Sequence, residues 1–448
     1  MKKQYVNTLL AVVFLAALWA SFTYFDKRKS GSTTANATSE SKPAEKLFGL
    51  DGVHVQAITL KTKDVLPIAC QRESGKWVIV APEKLLADQS GVDTLLNTLT
   101  SATIDQVVDP HPANLKDFGL DPPTETLDLS TDAKPAQFTM MLGDETPTGN
   151  GMYAQVSGNP RVFTLPVYLK TSLTKSLFDL RDKRAVTLDA DQIQKIEVES
   201  KEKGKSYTLQ KNPEGVWDLV LPPSVRADRS SVDSLVSDLR TLSMASIVAE
   251  DKKKSSEYGL AAPALTLKLA SPSGSQTVII GKKDGDKYDA ANSGLPPIFT
   301  LSSNVLTQFQ KNVEDLRDKQ LFSFSPFEVS HFEVVTPKGH WTFEKQKDKW
   351  RETVPAAKDV SKDKVDSLLQ QVGDLRAESF PQNHPTGLAA FGLTKPAYRF
   401  EAQWGSKKEV GEAAKVGDHI YARRSTDVAP SELSKTALDS IEKTLSGI

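Results

Sequence analysis

The chain has 448 residues, more than a single hydrophobic core usually spans, so two to four domains are expected. Lys plus Arg number 56 against 57 Asp plus Glu, which excludes the diffuse basic field of a nucleic-acid binder. The one cysteine, Cys70, excludes an internal disulfide, and its apolar neighbours Leu66 and Ile68 make it a small buried hydrophobe rather than a nucleophile.

Residues 4–25 carry no charge between Lys2-Lys3 and Lys27-Arg28-Lys29, and they are long enough for a bilayer that needs about 20 mostly apolar residues. The basic cluster directly after them, without a small-x-small site, argues for an uncleaved anchor (1–29) over a cleaved signal peptide. No cysteine stands nearby to carry a lipid. The flanking charges balance, so charge alone leaves orientation open. The default for a signal anchor applies: a single pass through the bacterial inner membrane, with the body on the periplasmic side. Residues 30–46 lack aromatic and large aliphatic residues and read as a flexible linker.

Three modules follow, at 47–187, 188–327 and 328–448. Trp77 and Pro82 recur as Trp217 and Pro222, then as Trp350 and Pro355, spaced by 140 and 133 residues. Each Trp closes a run of short alternating segments, which predicts a β-meander with the Trp as a core anchor. Val92, Leu95, Leu96 and Leu99 recur as Val232, Leu235, Val236 and Leu239, and as Val365, Leu368, Leu369 and Val372. Their i, i+3, i+4, i+7 spacing places them on one helix face, with Asp88, Asp228 and Ser361 as N-caps. Asp93, Asp233 and Asp366 fall off that face near the helix start, and are expected to act as dipole partners.

Phe118-Gly119-Leu120, Tyr258-Gly259-Leu260 and Phe391-Gly392-Leu393, each with a later Pro, read as left-handed turns. Four further strands are predicted in the first copy, around 126–129, 138–142, 153–156 and 162–165, with counterparts in the second. A closing helix ends copies one and two in Leu180-Arg181-Asp182-Lys183 and Leu316-Arg317-Asp318-Lys319; copy three closes with a helix predicted from Ser431 to Leu445. The Arg181/Asp182 and Arg317/Asp318 pairs admit two readings, an ion pair stitching a module to its successor or a repeated contact surface. Their place at module boundaries favours the joint. The expected fold class is α+β: three tandem homologous modules of antiparallel β-meanders with two helices each, after one N-terminal transmembrane helix.

At these residues the chain resembles the bacterial domain-of-unknown-function family numbered 4340. The likeness rests on the apolar N-terminal segment, Trp-x(4)-Pro with a later Asp, the aromatic-Gly-Leu turn, Gly143 and Gly281, and the repeated Leu-Arg-Asp-Lys. The third module departs from it, with Ser361 for the Asp and no Leu-Arg-Asp-Lys. The resemblance implies a single-anchor envelope protein, often beside gliding-motility-type ABC transporter components, and it carries over no catalytic residue.

No phosphate loop, dinucleotide fingerprint, nucleophile elbow or His-Glu-x-x-His helix occurs. The six histidines (His54, His111, His331, His340, His384, His419) show no metal spacing, so no metal and no cofactor are expected. Asp284, Asp286 and Asp289 are expected at a solvated hairpin tip, and Lys252 to Lys254 in a solvated loop. The reading is a non-enzymatic binding or scaffold protein of the envelope, with a membrane or envelope protein partner and no nucleic acid. Its rivals are an envelope hydrolase with acids converging between modules, and a glycan-binding module.

Overall fold

A computed structural model describes residues 45–48, 54–132, 137–220, 224–253, 255–381, 387–427 and 429–448. The anchor at 4–25 and the tether to residue 44 lie outside them. Among the described residues no helix is long and apolar enough to cross a membrane.

Three nine-stranded antiparallel sheets follow one another along the chain. In the first, β1 (Val55–Thr62), β2 (Ile68–Glu73), β3 (Lys76–Ala81) and β4 (Leu85–Leu86) form the expected meander. After helix α1 (Gln89–Ser101) come β5 (Gln106–Asp109), β6 (Glu125–Thr131), β7 (Gln137–Glu145), β8 (Gly151–Val156) and β9 (Val162–Pro166). The spatial order is β4-β3-β2-β1-β6-β7-β8-β9-β5, so two meanders join at their first strands and β5 caps the far edge. The other sheets repeat this order. The architecture is thus mostly β, α+β in class, with a 12- or 13-residue helix in each copy. The closing segments are less regular than two helices per copy: α2 (Leu169–Leu173) and α3 (Leu177–Leu180) replace one helix in copy one. In copy three Ser431–Leu433 is a strand, because it pairs with neighbours on both sides, and the last helix spans only Asp439–Ser446.

Val92, Leu95, Leu96 and Leu99 of α1 are buried, as are Val365, Leu368, Leu369 and Val372 of the third copy. Each such side chain contributes about 1.5–3 kcal/mol by leaving water. Asp88 and Asp228 accept the N–H of Gly91 and Ser231 as caps. Ser361 makes no side-chain cap bond, which corrects that expectation. The left-handed turn is realised at Gly119, with φ of 66°. Its partner is Gly143, where a Cβ would sit 2.1 Å from the Phe118 carbonyl; Gly281 meets Tyr258 in the same way. Asp289 is buried on its strand, so only Asp284 and Asp286 belong to the hairpin tip. Lys252 is half-buried and donates to the Asn292 carbonyl, which removes it from the solvated loop.

The chain divides into two compact units, one ending at Arg181 and the other spanning 182–448. The second holds copies two and three, and their joint is built from the repeated Leu-Arg-Asp-Lys. Asp228 donates its backbone N–H to the Leu316 carbonyl, and Ala377 donates to Lys319, so the strap bonds its own module on one side and the next on the other. The Arg317 guanidinium lies 3.7 Å from the centre of the Phe380 ring, while Asp318 accepts from Arg424 at 3.0 Å. Within the first unit Asp88 donates to Leu180 in the same manner.

Candidate functional site

The third strand of each first meander carries the repeated Trp. Cross-strand from it stands a cation: Arg72 opposite Trp77, Lys211 opposite Trp217, Lys345 opposite Trp350. Each cation lies over its indole, at 4.5, 5.1 and 5.6 Å from the ring centre. Trp77 is 1 % exposed and Trp350 fully buried. Their indole N–H groups donate to Asp93 and Asp366. Asp93 and Asp366 are therefore bonded to tryptophans, a role that the helix-dipole expectation missed. In copy one Gln89, the first residue of α1, also clamps the Trp77 backbone by accepting from its N–H and donating to its carbonyl.

Copy two breaks this pattern. Trp217 is only partly buried, and among the described residues its indole N–H makes no hydrogen bond. Arg229 stands where Gln89 would be, and cannot form the clamp; it lies 3.6 Å from Asp233, which leaves the Trp217 indole. The expectation of three equivalent buried tryptophans is corrected here. Beside the ring opens a cavity of about 640 Å³, within the range of about 300–1,000 Å³ typical of ligand sites. Trp217, Arg226, Asp228, Arg229 and Asp233 line it from copy two, with Asp318, Gln320 and Ser323 from the strap. A smaller cavity of about 260 Å³ adjoins it across Val216 and Arg226 and reaches Asp427.

The acids of this cavity are mostly committed. Burial pushes the Asp228 carboxyl up, but hydrogen bonds from Ser230 and Ser231 outweigh it and hold it below the usual carboxylate range. Asp318 is held by Arg424. Burial pushes Asp427 up, against the pull of Arg424 and Arg226. Ser323 gives both its N–H and its hydroxyl to Glu409. The uncommitted groups are the Trp217 N–H, the side-chain amide of Gln320 and the loosely paired Arg229 and Asp233.

Two other places carry chemistry-bearing groups. In the first unit a groove of about 560 Å³ is lined by Leu60, Val65, Leu66, Ile68 and Leu177 with Thr62 and Thr174. Thr174 donates to Glu125, a 3 % exposed acid whose other carboxylate oxygen has no hydrogen-bond partner. Burial raises its pKa, with the Thr174 bond opposing. In the third sheet His331, Glu333 and Glu401 offer ligand atoms within 4.8 Å of one another, a convergence across strands invisible as sequence spacing. Lys408 and Arg399 already hold Glu401 at 2.5 Å. Burial pushes the Glu401 carboxyl up, but those bonds outweigh it and set it at about 2, so this acid is engaged in an ion-pair network. Cys70 is buried and its thiol pushed up to about 11, which keeps it protonated.

The model of the family described as Domain of unknown function (DUF4340) matches residues 77–223 and 217–396. The chain belongs to this family. Each DUF4340 match opens on one of the repeated tryptophans, Trp77 or Trp217, and runs into the following copy. No curated protein and no solved structure matches significantly.

Proposed function

We propose that this DUF4340 protein is a non-enzymatic binding or scaffold component of the bacterial envelope, anchored by residues 4–25 with its body outside the cytoplasm, and accessory to a membrane partner such as an ABC-type transporter. The observation that carries the reading is the use made of the recurring polar residues. Asp93 and Asp366 hold tryptophans, Asp88 and Asp228 cap helices, and Asp318 ties one module to the next. Catalysis needs groups left free and tuned for proton or nucleophile chemistry. Asp228, which lines the cavity beside Trp217, is held in the ionised form, unsuited to donate a proton.

The test is cross-linking and co-purification of the full chain from membranes, with and without residues 1–29. The reading expects a stoichiometric membrane partner that is lost with the anchor. Full function from a soluble, anchorless body would overturn it.

A further inference from the structure

Three copies of one module provide an internal control. In two of them the Trp is sealed into the core and its N–H bonded to the following Asp; in the second the same residue types stand at the same spacing, yet the ring borders open space. A buried indole N–H normally finds a partner, and an aromatic ring left half-solvated is more often recruited to an interface or a ligand. Copy three also lacks the Gln89 clamp, with Lys362 in its place bonded to Asp366, yet keeps Trp350 buried and bonded to that Asp; in copy two Arg229, 95 % exposed at its side chain, pairs with Asp233, and among the described residues the Trp217 indole has no such bond.

We propose that the cavity around Trp217 is a saccharide-binding site, an inference that rests on the binding reading above and names its ligand class. Three features select that class. Trp217 borders the cavity, with Lys211 over its ring, as an aromatic surface against which the C–H side of a sugar ring would pack, while its N–H, Gln320, Arg229 and Asp233 supply both donors and acceptors for hydroxyls. The lining holds Arg226 and Arg229 against Asp228, Asp233 and Asp318, so it presents no net positive charge to recruit an anion. Strand addition by a peptide has little to grip, since the edge strand beside the cavity spans only Val225–Arg226.

The experiment titrates the full chain, purified in a detergent without a sugar headgroup, with short neutral oligomers of glucose and of N-acetylglucosamine. Inorganic phosphate and a neutral tetrapeptide serve as competitors. Saturable binding of at least one oligosaccharide is expected, weakened about tenfold or more by Trp217→Ala, as for a central aromatic anchor, and largely kept by Trp217→Phe. Because Trp217→Ala disturbs packing, Arg229→Ala provides a second variant on an exposed side chain, expected to shift affinity a few-fold in a fully folded protein. The proposal is overturned if no oligosaccharide binds, if binding is indifferent to both Trp217→Ala and Arg229→Ala, or if phosphate or peptide displaces the sugar. A chain that binds no sugar but still co-purifies with its membrane partner loses this site alone and keeps the scaffold reading.

Discussion

Trp77 donates its indole N–H to Asp93 at 2.8 Å, tying the last long strand of the first meander to the helix that covers it. The same bond joins Trp350 to Asp366 at 3.2 Å. It makes the tryptophan a two-part anchor, apolar by its ring and polar by its edge, and its absence around Trp217 sets the second copy apart.

Trp77→Ala and Trp350→Ala are therefore expected to destabilise by about 3–5 kcal/mol, the usual cost of emptying a buried aromatic site. Trp217→Ala, with part of its ring already in solvent, is expected to cost distinctly less. Urea unfolding of the three variants followed by circular dichroism checks the ranking; equal losses at all three positions would contradict it.

Glu125 gives a pH-dependent prediction. Burial raises its folded-state pKa above the ordinary 4.5. The folded chain then keeps a proton that the unfolded chain releases, so stability falls as pH rises from about 4.5 through the raised value. Glu125→Gln is expected to flatten this slope and to raise stability at neutral pH by about 1–3 kcal/mol, the cost of an unmet buried polar group. Glu125→Leu reproduces Leu265, which opens the equivalent strand of the second copy. Melting temperatures measured from pH 4 to 8 test this, and parallel curves for wild type and Glu125→Gln would refute it.

At the joint of copies two and three, Arg424 is 3 % exposed and donates to Asp318 and to the carbonyls of Leu321 and Gln320. Arg424→Ala leaves these buried acceptors unmet, at a cost of about 3–5 kcal/mol for breaking a buried pair. Hydrogen exchange is expected to rise over residues 318–323 and 375–377 before it rises in either sheet. Unchanged exchange in those segments would show that the strap does not depend on this arginine.

The missing cap at Ser361 predicts a gain. Asp88 and Asp228 cap their helices and Ser361 does not. Ser361→Asp is expected to stabilise the third module by about 0.5–1 kcal/mol through a cap bond and the helix dipole. No gain in the urea midpoint would argue against it.

The threefold repeat, the buried face of each long helix and the Gly119-type turn were legible because period and spacing write them directly. The two-residue strand β4 and the edge strand β5 were not, since segments so short carry no period. Pairings across strands were also hidden: neither Arg72 over Trp77 nor His331 beside Glu401 is visible as a sequence interval. Trp217 was misplaced because its own landmarks match those of its sisters. The neighbouring residue does not give the difference away: Arg229 stands where copy one has Gln89, but copy three has Lys362 there, bonded to Asp366, and its Trp stays buried.

One of the three copies has an open cavity where the other two have a buried Trp–Asp anchor. Oxidation of the folded full chain by N-bromosuccinimide, read residue by residue by mass spectrometry, tests that difference most directly. Trp217 is expected to oxidise well before Trp77 and Trp350; equal protection of all three would contradict the account.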